Sequence, residues 1–228
     1  MRQLLALLLM IVSAQCFSQT EIYEKSVALE GRRISIDADM ASTINVSTWN
    51  KKQVQVKVTY EVNEGDLNEA VEVVLDEQNS RLRLKVDVDE KLIRNAQVSD
   101  CERENATYWG SRNGRKVCAI ISIEVFVPEK TELDIETVLA DVMMEGAFEE
   151  LDIKTVTGDI DVTWPEQQGT EIDLKTATGS IFTDFQFNRK MDKGLPAISS
   201  RKIATTYKGG EGYLKLESVT SDIYLRKG

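Results

Sequence analysis

The chain has 228 residues, with 38 Asp and Glu against 28 Lys and Arg, no His, and a formal net charge of −10. That acidity repels phosphate backbones, so nucleic acid is not expected as a partner. Without His the chain lacks Ser-His-Asp and Cys-His catalysis, the common zinc sites and the usual general base near neutral pH.

The first segment, MRQLLALLLMIVSAQCFSQT, has one early cation, Arg2, then an apolar run from Leu4 to Val12 and small residues up to Ser18. This pattern predicts a secretory signal peptide over 1–18, and the run is too short to span a bilayer. An alternative makes Cys16 a lipidated N-terminus, although Gln15 stands where a small residue is needed. Removing 1–18 takes away Arg2 as its only charge and leaves −11. No later apolar stretch approaches membrane-span length, so the mature chain is expected to have no transmembrane segment. The expected location is the periplasm or the cell surface. In that oxidising setting Cys101 and Cys118 are expected to form a disulfide, worth about 3 kcal/mol in the chain-entropy model. Two free thiols are the alternative, and two Cys without His make a poor metal set.

Residues 19–130 read as a β region. RRISIDAD (32–39), STINVSTW (42–49) and QVQVKVTYEV (53–62) alternate apolar and polar residues. DLNEAVEVVLDE (66–77) is ambiguous: Asp66 and Glu69 have capping-box spacing, and a strand continues from Val71. RLRLKVDV (81–88) follows a turn and closes a hairpin. Residues 89–117 then break the pattern with a polar, aperiodic insert, a kind of segment that is usually functional or disordered. In it Tyr108 and Trp109 stand beside Arg112, Arg115 and Lys116, a set suited to a sugar ring or a protein partner. The plainer alternative is that the aromatics pin the loop to the sheet. CAIISIEVFVPE (118–129) returns to strand, and a soft boundary falls near 130.

From 131 to 228 the chain is repetitive. LDIETVLADVMM (133–144), LDIKTVTGDIDV (151–162), IDLKTATGSIFT (172–183) and LKLESVTSDIYL (214–225) align without gaps. Their starts are 18, 21 and 42 residues apart, and KIATTY (202–207) is the best strand in the long interval. Periods near twenty residues predict an all-β, right-handed β-solenoid or β-roll, after a sandwich-like N-terminal β region. Positions 1, 3 and 10 of each unit are aliphatic and should face inward. The corner is written by Thr155, Gly158 and Asp159, by Thr176, Gly179 and Ser180, and by Ser221 and Asp222. A hydroxyl suits the bend, a small residue the tight approach of the next coil, and Asp its own turn backbone.

Thr155-Val156-Thr157-Gly158-Asp159-Ile160 and Thr176-Ala177-Thr178-Gly179-Ser180-Ile181 resemble the T-x-T-G-[DS]-I unit of the putative adhesin family of exported bacterial proteins, common in Bacteroidetes. Ser218 to Ile223 is a weaker copy. The resemblance is specific only from about residue 130. It implies a β-solenoid with a sandwich-like start and a molecular role that is largely undetermined.

Two further readings concern chemistry. Asp134, Asp152 and Asp173 form an outward column, joined by Asp159 and Asp161, that could hold Ca²⁺. The competing reading is a solvated face balanced by Glu136, Lys154, Lys175 and Glu217, and it is preferred because the Gly-Gly-x-Gly-x-Asp pattern of calcium-binding β-rolls is missing. The chain is therefore read as non-enzymatic, without metal or cofactor, binding an envelope component, surface glycan or partner protein. An envelope-stress or structural protein is the alternative, and a polysaccharide-active enzyme a lesser one. The last unit ends at Gly228 with no evident cap, so an edge-to-edge homodimer is also expected as a possibility.

Overall fold

The computed structural model describes residues 20–95, 106–112, 115–187, 201–210 and 212–228, and of 107–112 and 115–116 the backbone alone. The expected signal peptide, Cys16 and Cys101 lie outside these residues.

The alternating pattern becomes strand almost throughout. In chain order the elements are β1 (Glu21–Ala28), β2 (Arg33–Asp37), β3 (Thr43–Trp49), β4 (Gln53–Val62), β5 (Val71–Glu77), β6 (Arg81–Val88), α1 (Glu90–Asn95), β7 (Thr107–Arg112) and β8 (Arg115–Pro128). They continue as β9 (Glu132–Glu136), β10 (Asp141–Glu145), β11 (Glu150–Thr155), β12 (Ile160–Trp164), β13 (Thr170–Thr176), β14 (Ile181–Thr183), β15 (Arg201–Tyr207), β16 (Gly212–Ser218) and β17 (Ile223–Lys227). Short 3₁₀ turns at Asn63–Gly65 and Asn68–Ala70 replace the predicted capping box: no side chain caps either turn, and Asn68 Oδ1 instead accepts the Val62 N–H at 2.8 Å.

These strands form two open, mixed sheets. One runs β1-β4-β8-β3-β10-β12-β17-β14, with β7 also on β8; the other runs β15-β13-β16-β11-β9-β2-β6-β5. Both pass without a break across residue 130, through β3 with β10 and β2 with β9. Their inner faces share one core. Leu133, Leu151 and Leu214, with Ile135, Ile153 and Leu216, are fully buried on one side, opposite Val142, Ile160 and Ile223 on the other. Stacked like-for-like aliphatic side chains on adjacent strands supply most of the burial free energy, about 1.5–3 kcal/mol for each side chain removed from water.

The architecture is thus a β-sandwich, which corrects the expected β-solenoid or β-roll of twenty-residue coils. In a solenoid, coils stack in chain order. Here β16 lies between β11 and β13, and β17 between β12 and β14. The unit at 214–225 is therefore third in the stack and the unit at 172–183 is last. KIATTY falls in β15, which runs antiparallel to β13 as a sheet edge and forms no coil. At the far end β1 and β5 are antiparallel as well. The homodimer premise fails for the same reason: β17, the last strand, is paired on both sides.

Charge favours placing the 214–225 unit between those at 151–162 and 172–183, although Asp134 still lies beside Asp152. On the outer face, stack order gives Asp134, Asp152, Lys215, Asp173 in one column and Glu136, Lys154, Glu217, Lys175 in the next. Chain order would set Asp152 beside Asp173 and Lys154 beside Lys175, and facing like charges are destabilising. Lys215 Nζ lies 3.3 Å from Asp152 and 3.3 Å from Glu217. Burial alone would lower its pKa, yet these two carboxylates outweigh burial and hold the ammonium above its ordinary range. Lys215→Glu is expected to cost about 1 kcal/mol, or roughly 2–4 °C in Tm, with part of the loss recovered at high salt. Thermal melts at two ionic strengths check it.

Candidate functional site

Every unit turns from one sheet into the other at one end of the sandwich, and the motif residues are the machinery of that turn. Thr155 and Thr176 Oγ1 each accept the N–H of their own Gly, Gly158 and Gly179, at 3.1 Å, and Ser218 Oγ accepts the Ser221 N–H at 3.1 Å. Thr176 Oγ1 also donates to the neighbouring Ser221 carbonyl at 3.0 Å. Thr157 and Thr220 donate both N–H and Oγ1–H to the Val138 and Val156 carbonyls of the unit beside them, at 2.9–3.0 Å.

The corner Asp residues link unit to unit. Asp141 Oδ1 accepts the Asp159 N–H at 2.9 Å, Asp159 Oδ1 accepts the Asp222 N–H at 2.9 Å, and Asp222 Oδ1 accepts the Ser180 N–H at 2.6 Å. The chain of donors follows the stack order. At Gly158 a Cβ would meet the Ala140 carbonyl oxygen at 1.7 Å, and at Gly179 the Ser221 carbonyl oxygen at 2.0 Å. Only a residue without Cβ permits this approach. Thr155, Gly158, Asp159, Thr176, Gly179, Ser180, Ser221 and Asp222 are thereby all engaged in joining corners.

The acidic column is matched by cations. Asp134 pairs with Arg33 at 2.7 Å, Asp152 with Lys215 at 3.3 Å and Asp173 with Lys202 at 3.3 Å, while Asp161 meets Arg226 at 2.8 Å. Arg33 gathers Glu150 as well, at 2.6 Å. Asp159 serves the corner ladder. Among the described residues no group of three or more His, Cys, Asp or Glu is placed to hold a metal ion, and no helix is long and apolar enough to cross a membrane.

One corner differs from the rest. Four residues join β9 to β10, β11 to β12, β13 to β14 and β16 to β17, and five join β2 to β3. Between β6 and β8 the chain instead spends residues 89–114, including α1 and β7. The aperiodic insert is therefore an elaborated corner. It is partly regular: β7 pairs antiparallel with the start of β8, which begins at Arg115. Tyr108, Trp109, Arg112, Arg115 and Lys116 all fall on this hairpin. Tyr108 is paired in register with Cys118 and Arg112 with Arg115; their side chains lie outside the description. Cys118 is buried, 7% exposed.

Beneath the insert lies a cleft of about 490 Å³. Its walls are Met40, Val86, Val88, Ile93 and Val138, and its rim carries Asp39, Asp87, Glu90 and Arg94. Arg94 is paired with Glu90, and Lys85 with Asp87. Asp39 is exposed, and partial desolvation by its surroundings raises its carboxyl above the ordinary value, helped by Asp37, Asp87 and Glu136 and opposed by Lys85. A second hollow of about 360 Å³ meets the first at Asp39 and runs along Val156, Ala177 and Val219. Val156 and Val219 are 39% and 46% exposed. Sequence reasoning missed both hollows. The available signal was position 6 of each unit, which holds Val138, Val156, Ala177 or Val219 although it falls in a solvent-facing corner.

No family model and no curated protein matches this chain. A solved structure from Clostridium sporogenes, named a putative cell adhesion protein, matches at TM-score 0.54 and 13% identity, covering 92% of this chain and all of that one. This likeness shows a shared fold. Putative adhesins from Bacteroides fragilis (TM-score 0.32, 9% identity, 91% of this chain and 97% of that one) and Parabacteroides distasonis (0.28, 9%, 72% and 61%) are too distant to carry an argument.

Two outcomes follow from the corner geometry. Gly158→Ala and Gly179→Ala should each destabilise the protein by about 2–3 kcal/mol in urea unfolding, because the added methyl meets backbone. Asp39→Asn should act in the opposite direction. A carboxyl whose folded pKa lies above its unfolded one costs stability when ionised, fully so above the folded value and not at all below the unfolded one. Its replacement should raise Tm at pH 7 and bring no gain near pH 3, read by melting across pH.

Proposed function

We propose that this is an exported, non-enzymatic binding protein of adhesin type, whose sandwich is a rigid carrier and whose ligand-facing parts are the elaborated corner and the hollows beside it. One observation carries the reading: in the row of corners that holds the repeated motif, the one between β6 and β8 is expanded, and its expansion holds the aromatic and basic set of Tyr108, Trp109, Arg112, Arg115 and Lys116. A rigid scaffold with function placed on a connecting loop is a recurring arrangement. The missing His and the absorption of the motif residues into corner bonding support a role without catalysis. The name carried by the Clostridium neighbour supports adhesion. The target is an envelope component, a surface glycan or a partner protein, met in the periplasm or at the cell surface after removal of residues 1–18.

We also propose that Cys101 pairs with Cys118 and ties the expanded corner to the base of β8. That cross-link would limit the ordering entropy lost when the loop meets its ligand.

The test is retention of envelope material by the immobilised protein, together with a glycan array, for the native chain and for Tyr108→Ala/Trp109→Ala. The native chain should retain a defined component and the double variant should lose it by tenfold or more, with Tm unchanged. Equal retention by the variant, or its unfolding, would return these aromatics to a packing role and overturn the reading.

A further inference from the structure

The two hollows form one groove along the corner row. Its apolar floor runs from the pocket walled by Val86 and Ile93, past Val138, to Val156 and Val219. From β6 to β13 the stack crosses five strand spacings, or about 24 Å at about 4.8 Å each. An extended chain of about seven residues has that length. The polar features are unevenly placed. Beside the floor, Glu136, Lys154, Glu217 and Lys175 alternate in sign, and Lys154 meets Glu136 at 3.1 Å. At the deep end the rim carries Asp39, itself exposed, among Asp37, Asp87, Glu90 and Glu136, which pair with Arg83, Lys85, Arg94 and Lys154. Among the described residues Asp39 has no ion-pair partner, a place that an incoming cation could take.

We propose that the corner groove takes an extended peptide carrying a Lys or Arg side chain among apolar residues, its cationic head beside Asp39 and its apolar side chains along Val138, Val156 and Val219. The inference rests on the binding reading above and names the ligand class for the hollows. A long basic side chain fits the deep end, because its methylene stem can lie on Val86 and Ile93 while its head meets the rim. Alternate residues of an extended segment point to one side, which suits a stripe of separate valines. A neutral glycan would find aliphatic walls where sugar faces favour aromatic ones, and would leave Asp39 uncompensated.

The experiment is fluorescence anisotropy with the full chain and labelled Ser-Val-Ser-Lys-Val-Ser-Val, against versions with Glu or norleucine in place of Lys. The Lys probe should bind at least tenfold more tightly than the Glu probe. Asp39→Asn and, separately, Val156→Asp should each weaken the Lys probe at least fivefold, with Tm not lowered in Asp39→Asn. Equal binding of Lys and Glu probes, no binding of any probe, or an unchanged Asp39→Asn would overturn the proposal. So would binding of maltoheptaose that is lost in the same variants, which would put a glycan in the groove. Should envelope material still be retained by Asp39→Asn while every peptide probe fails, the binding reading stands and the groove assignment falls.

Discussion

The contact between one corner and the backbone of the next governs this molecule. Gly158 lies so close to the Ala140 carbonyl, and Gly179 so close to that of Ser221, that no side chain fits between them. At that separation the Asp carboxylates of one unit reach the amides of the next, and the Thr hydroxyls donate to the carbonyls of the adjacent turn. Unpaired backbone groups are costly, and here the motif side chains satisfy them. Register follows from the corner: with turns locked, Leu151 must face Leu214, and the aliphatic columns close on one another.

Much of this was legible in the sequence. The strict alternation of apolar residues in 53–62 and 81–88 gave strands with the expected inner faces, and the four aligned units gave strand, corner, strand. The corner roles of Thr and Gly followed from elementary turn chemistry, whereas Asp was expected to bond its own turn and instead bonds the amide of the neighbouring unit. The order of the units did not follow from the repeat, because each unit offers nearly the same parallel pairing surface to any neighbour. The discriminating information lay in two exceptions, Lys215 where the other units have Asp, and Glu217 where its neighbours have Lys. Placed between the second and third units, these two residues separate Asp152 from Asp173 and Lys154 from Lys175. The hollows were harder still, since an apolar corner residue reads locally as packing and only the stacked sandwich lines Val138, Val156 and Val219 in a row.

The division of labour has a physical logic. A corner that is bonded to both neighbours is too constrained to vary, so it serves poorly as a recognition surface. The corner between β6 and β8 can grow because it lies toward the end of the row and its insert can leave the stack. Around it the protein keeps an acidic pocket with apolar walls whose Asp39 is disfavoured in its ionised form. Stability comes from the aliphatic core in the register that the repeated corners set.

The most direct test of this account is the through-hydrogen-bond scalar coupling measured by NMR at the corners. The Thr220 amide should correlate with the Val156 carbonyl and the Thr178 amide with the Val219 carbonyl, matching hydrogen bonds of 3.0 Å each. A coupling from the Thr178 amide to the Val156 carbonyl would mean that the units stack in chain order, and would contradict the corner-locked sandwich described above.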